Sequence, residues 1–185
     1  MSVQLNRHLI SVAAYHLLGR EGMLSTADKV ELIRGEIVYM SPIGSMHALL
    51  VDALAHALIS GLGNKFYVRV QNPIRLSDVS EPEPDIALVH LPRKTFLDRH
   101  PIGKEVSLVI EVADSSLSVD REIKLPLYAE ANVQKYWIVD LQHEKVEIYQ
   151  QPEGGHYASK SYSEFADTII DSELGIKLRI QDFLE

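Results

Sequence analysis

The sequence predicts an α/β or α+β domain in which a central mixed β-sheet is flanked by a few helices. Three observations carry this. Short runs rich in β-branched and aromatic residues crowd the middle of the chain. Helical spacing recurs before, between and after the first of them. Turns marked by glycine or proline separate the pieces. With 185 residues the chain can build a proper core and is read as one domain over 1–185.

The first helix is predicted over residues 6–18, where Leu9, Ile10, Ala13 and Leu17 stand near helical spacing. "KVELIRGEIVYMSP" reads as two short strands joined at Arg34-Gly35, the glycine supplying a positive φ. After Pro42, Ser45 is a plausible N-cap for a helix through about residue 60 with Met46, Leu50, Ala53 and Ala57 on one stripe. "FYVRV", "IRL", "DIALV" and "VSLVIEV" follow as strands. A helix from about Ser118 to Ala131 comes next. Pro126 within it must bend it or move its start towards Ile123. "KYWIVDL" and "KVEIYQ" then form a hairpin through Gln142-His143-Glu144, and weakly alternating strands and a short amphipathic tail close the chain.

Composition narrows the function. No window approaches 18 consecutive apolar residues, which argues against a membrane span. The N-terminus lacks the pattern of an export signal, and the absence of cysteine removes disulfides and thiolate metal sites. A cytoplasmic location is the expectation. The net charge of −8 disfavours coating nucleic acid by bulk electrostatics. Residues 64–104 nevertheless carry seven basic groups against five acidic ones, so either a local basic face or a mixed solvated surface is open. There is no glycine-rich phosphate loop, no G-x-S-x-G elbow and no H-E-x-x-H helix.

The informative chemistry lies in two stretches. In "EPEPDIALVH" the prolines enforce an extended approach, and Asp85 stands at the mouth of a short apolar strand. In "VSLVIEVADSS" the strand Val106–Val112 is apolar on both faces, as a central strand should be. Val106, Leu108, Ile110 and Val112 share one face; Ser107, Val109 and Glu111 share the other. A carboxylate in that position must be ion-paired with Lys124 or an arginine, protonated, or bound to a cation. Neighbouring strands in suitable register would bring Asp85 and Glu111 together, and two close carboxylates need a proton or metal between them. Oxygen ligands without cysteine suit Mg²⁺ or Mn²⁺. Lys124 sits one residue round from the stripe Ile123, Leu127 and Ala131, so it either faces the strand end or forms an exposed i,i+4 pair with Asp120.

The run "EVADSSLSVDREIKLPLYAEANVQKYWIVDL" resembles the Uma-type endonuclease family, a branch of the PD-(D/E)XK nuclease superfamily. "VELIRGEIVYMSPIGSMHALLV" and "VQNPIRLSDVSEPEPDIALV" extend the resemblance over roughly residues 24–150, in the family's order. It implies a restriction-endonuclease-like core with a metal site at the edge of the sheet. Pro84-Asp85 matches the PD of the motif and Glu111 its acid. Ala113 stands where the lysine is usual, and Lys124 on the next helix matches the lysine that takes over in this branch. Glu31 fits an additional acidic ligand, and His47 matches a histidine at the start of the family's long helix.

The expectation is thus a Mg²⁺- or Mn²⁺-dependent endonuclease acting on DNA. Asp85, Glu111 and Lys124 are the catalytic set, and Asp85, Glu111 and Glu31 hold the metal, with the Val112 carbonyl as a further ligand. Arg69, Arg75, Arg93 and Arg121 are the candidate DNA-facing cations, and a homodimer follows from the prevalence of two-fold symmetry. The rival is an inactive nuclease-fold protein serving binding or assembly. Blander readings stand beside several residues. Glu31 is either a ligand or a solvent-facing residue of an exposed strand; Asp52 and His56 form a surface pair; Gln71, Asn72 and Pro73 organise a strand end. Tyr136 and Trp137 belong to the core, and Ser115 and Ser116 are turn and cap residues.

Overall fold

A computed structural model describes residues 7–25 and 28–185. The predicted strands pair into a six-stranded sheet: β3 (Tyr67–Val70), β4 (Ile86–Val89), β5 (Val106–Ala113), β6 (Lys135–Asp140), β7 (Lys145–Glu153) and β8 (His156–Glu164), in that spatial order. Neighbours run antiparallel except β5 and β6, which are parallel. A parallel pair needs a crossover, and the helical stretch Leu117–Glu130 provides it.

Side chains alternate across the sheet into two cores. On one face Leu108, Ile110 and Val112 of β5 meet Leu50, Leu54 and Leu58 of α2 (Ser45–Leu62), together with the short pair β9 (Ile169–Asp171) and β10 (Ile176–Leu178). On the other, Val109, Tyr136 and Ile138 pack beneath Tyr128 and Ala129 of the crossover. By length and composition α2 could cross a membrane, but its buried stripe lies against the sheet. Tyr136 and Trp137 are core residues, as expected.

The hairpin β1 (Val30–Ile33) and β2 (Glu36–Tyr39) stands apart and is tied to the main body through the bridge between Leu32 and Glu81. Its turn needs Arg34 and Gly35 at φ 49° and 79°. A Cβ on Gly35 would lie 2.6 Å from Cβ of Leu9, so glycine answers a close approach as well as a backbone need.

Several boundaries differ from the sequence reading, each for a physical reason. The first helix, α1, is Val12–Arg20, capped by the Ser11 hydroxyl, and it buries only Val12; residue 6, its predicted start, lies outside the described residues. Leu9 and Leu17 of the predicted stripe are exposed. Helix α2 begins at Ser45 with Gly44 as N-cap, and its buried stripe is Leu50, Val51, Leu54, Ala55 and Leu58; Met46 faces outwards. "IRL" is no strand and contributes only a bridge from Arg75 to Ile102. Val106 joins the opposite face from Leu108 because the β4–β5 register shifts between Leu88 and Val89. The crossover is α3 (Leu117–Val119), a π-helical turn at Asp120–Lys124, and α4 (Leu125–Glu130). Pro126 falls in the first turn of α4, directly after the π-helical turn, so the helix changes its hydrogen-bond spacing where the proline supplies no N–H.

Candidate active site

Alternate proline in "EPEPD" has a consequence for hydrogen bonding. Pro82 and Pro84 donate nothing, so the donors recur at every second residue, and each is used. Glu81 N–H bonds the carbonyl of Leu32 (2.7 Å), Glu83 N–H bonds Oε1 of Glu31 (2.7 Å), and Asp85 N–H bonds Oε2 of Glu111 (3.2 Å). The segment is thereby fastened to β1 on one side and β5 on the other. Asp85 returns the contact, its Oδ2 accepting from the Val112 N–H at 2.9 Å. These reciprocal bonds sit one step beyond the Ile86–Ile110 pair and carry the β4–β5 ladder into the site.

Lys124 enters from the π-helical turn. The extra residue in that turn rotates the following side chains, and Nζ of Lys124 comes to 3.1 Å from Oε1 of Glu111 and 3.2 Å from Oε1 of Glu31. The Tyr128 hydroxyl donates to the same Glu111 oxygen at 2.9 Å. His47, in the first turn of α2, places Nε2 3.0 Å from Oδ1 of Asp85, and Gln71 approaches that oxygen at 3.4 Å. Asp120 accepts from the Ser116 hydroxyl at 2.6 Å. All of these but Tyr128 line a cavity of about 170 Å³ whose mouth carries Tyr39, Pro42, Ile43 and Val119.

The structure therefore brings Asp85, Glu111, Lys124 and Glu31 into one polar cluster. Glu31 is buried rather than solvent-facing, because the hairpin folds over the PEP segment. Lys124 and Asp120 are both buried, so the exposed i,i+4 pair does not form. His47 is more than a helix-start residue, since it bonds Asp85. Asp52 and His56 are exposed and lie elsewhere. Ser115 and Ser116 line the cavity, Ser116 as the partner of Asp120. Tyr128 and Asp120 were not singled out as site residues; they stand at i+4 and i−4 from Lys124, the spacing of one helical face.

Each of the four candidate DNA-facing arginines is engaged by a neighbour, and Arg69 and Arg93 lie over the same Tyr67 ring. Arg69 is buried. Arg121 is bonded by Glu147 and Asp140, and Arg75 by Asp78. Arg121 thereby anchors the π-helical turn to β6 and β7.

Six carboxyl groups, Glu31, Glu83, Asp85, Glu111, Asp114 and Asp120, line the cavity with one ammonium and one imidazole. Burial lifts the Glu111 carboxyl to about 8, with Asp120, Asp85 and Glu31 pushing the same way and Lys124 opposing. Burial also raises Asp120. Burial works against the Lys124 ammonium, but Glu111, Glu31 and Asp120 outweigh it and keep Lys124 charged. The bond to Asp85 raises His47. A cluster with this excess of hard oxygen donors, and a carboxyl driven to hold its proton, fits a divalent cation of the Mg²⁺ or Mn²⁺ type.

Comparison with known proteins places the chain. Residues 13–181 match the Uma2 family, described as "Putative restriction endonuclease". The fold is shared with the crystal structure of a protein described as a putative nuclease belonging to DUF820 from Anabaena variabilis ATCC 29413. The two are 16% identical, with a TM-score of 0.75 over 94% of this chain and 97% of that one. No curated protein matches the chain.

Proposed function

The chain belongs to the Uma2 family of restriction-endonuclease-like proteins, and on that premise we propose that it is a Mg²⁺- or Mn²⁺-dependent endonuclease hydrolysing phosphodiester bonds in DNA. The observation that carries this reading is the interlock of Asp85 with Glu111 and Val112, with the Lys124 ammonium 3.1 Å from Glu111. Asp85 and Glu111 hold the ion, and Glu31 and the Val112 carbonyl can complete its shell. A bound ion supplies a water of lowered pKa and positive charge against the scissile phosphate. Lys124 orients the attacking water or balances charge on the phosphate. His47 and Tyr128 fix the Asp85 and Glu111 carboxylates respectively. The amine missing at the fully buried Ala113 is supplied by Lys124 from the crossover. Action on duplex DNA suits a homodimer that presents two such sites.

Plasmid nicking with Mg²⁺ or Mn²⁺ tests this against Asp85→Ala and Glu111→Ala. Cleavage by the wild type alone supports it; cleavage retained by both variants removes the site. A wild type that binds Mn²⁺ through Glu111 yet cuts nothing would favour the inactive, binding-only reading, which the Ala113 substitution makes the natural rival.

A further inference from the structure

We propose that His16, Glu81 and His100 form a second cation site, for a borderline transition metal such as Zn²⁺, separate from the Asp85–Glu111 cavity. Three distant segments supply it: the middle of α1, the start of the PEP segment and the loop ahead of β5. One ring nitrogen from each histidine and a Glu81 carboxylate oxygen all lie within 4.8 Å of one another. His16 Nε2 is already 2.5 Å from Oε1 of Glu81. The imidazole planes stand 77° apart with centroids 6.0 Å apart, so the rings meet edge to face rather than stacking.

Ligand atoms around a tetrahedral Zn²⁺ at about 2.0 Å are roughly 3.3 Å apart. The widest separation therefore has to shrink by about 1.5 Å at most and the His16–Glu81 contact to open by roughly 0.8 Å, both within reach of side-chain rotation. Glu81 is 3% exposed, and among the described residues His16 alone bonds its carboxylate, which leaves acceptor capacity unused in a buried place. Arg69 Nη2 stands 3.5 Å from Nδ1 of His100 and opposes a further cation. Burial raises the neighbouring Tyr15 hydroxyl, and Glu83, Glu81 and Glu31 push it the same way.

The donor chemistry separates the two sites. Two imidazoles with one carboxylate suit Zn²⁺ and its neighbours, whereas the oxygen-only set suits Mg²⁺ or Mn²⁺. His16 and His100 line a cleft of about 810 Å³ that runs on into the first cavity, since Gln71 and Glu83 line both. Three protein ligands leave the fourth position open to that cleft, and the ion would clasp α1 to the PEP segment and to the loop ahead of β5.

Chelator-stripped protein is titrated with Zn²⁺ by calorimetry, using wild type, Glu111→Gln, His16→Ala and His100→Ala, with Co²⁺ absorption as a second readout. The expected result is one Zn²⁺ site of equal affinity in wild type and Glu111→Gln, with a second, Glu111-dependent event confined to proteins that keep Glu111. Loss of a direct ligand in either histidine variant should weaken the first site at least roughly 100-fold, because even outer-sphere losses cost about 10- to 100-fold. His16 lies on a surface helix, so its alanine variant keeps the test sound if His100→Ala fails to fold. Unchanged affinity in His16→Ala, or abolished binding in Glu111→Gln, overturns the site. Nicking by Glu111→Ala reports separately on the nuclease reading.

Discussion

Replacing Glu111 by glutamine in metal-free protein should flatten the fall of stability with rising pH. In the folded chain burial raises this carboxyl from an ordinary 4.5 to about 8. Between those values the folded state holds a proton that the unfolded state has released. Stability contributed by this group is therefore present at low pH and is lost as pH rises towards 8. Each unit inside the window is worth about 1.4 kcal/mol. From pH 6 to pH 8 the wild type should then lose about 2 kcal/mol by this linkage. His47, raised by its bond to Asp85, contributes a loss of the same sign, but it persists in Glu111→Gln. Urea unfolding in the presence of a chelator at pH 6, 7 and 8 measures the difference between the two proteins. Equal slopes for wild type and Glu111→Gln would refute the reasoning, because Glu111 would then titrate as an ordinary carboxylate.

Other perturbations separate the parts of the site. Mn²⁺ should bind more tightly at pH 8 than at pH 6, since the ion must displace the Glu111 proton; calorimetry showing the reverse would deny Glu111 a ligand role. Tyr128→Phe removes one hydrogen bond to Glu111 and should cost about 1 kcal/mol in urea unfolding, with slower nicking. Lys124→Met should abolish nicking and, by leaving buried carboxylates uncompensated, destabilise the fold by roughly 3–5 kcal/mol; near wild-type cleavage would show that this amine has no part in the reaction. Arg121→Ala should lower stability while leaving DNA affinity unchanged, because its guanidinium is spent on Glu147 and Asp140; a gel-shift assay showing weakened binding would restore it to the DNA-facing surface.

Much of this was legible from residue order. The all-apolar strand interrupted by Glu111 marked the centre of the sheet, and the PD pair stood at its neighbour's mouth. Helical spacing left Lys124 facing either the strand end or solvent; of the stripe Ile123, Leu127 and Ala131 used to orient it, Leu127 is buried but Ile123 is exposed. What escaped depends on tertiary contacts. Glu31 is on a short hairpin strand whose burial is decided by the PEP segment folded against it. The π-helical turn differs from an α-turn by one residue of hydrogen-bond spacing, which periodicity does not resolve. The bulge that moves Val106 to the other face belongs to a pairing rather than to a strand. Counting arginines suggested a basic face, yet charge without knowledge of partners says little; Arg69 is buried and Arg121 is an anchor. His47 could be placed on a helix but not aimed at Asp85.

The most direct measurement is anomalous diffraction from a crystal soaked in Mn²⁺. Density between the Asp85 and Glu111 carboxylates, with the Lys124 amine alongside, is the expected result. Density confined to His16, Glu81 and His100, or none touching residues 85 and 111, would contradict the central claim.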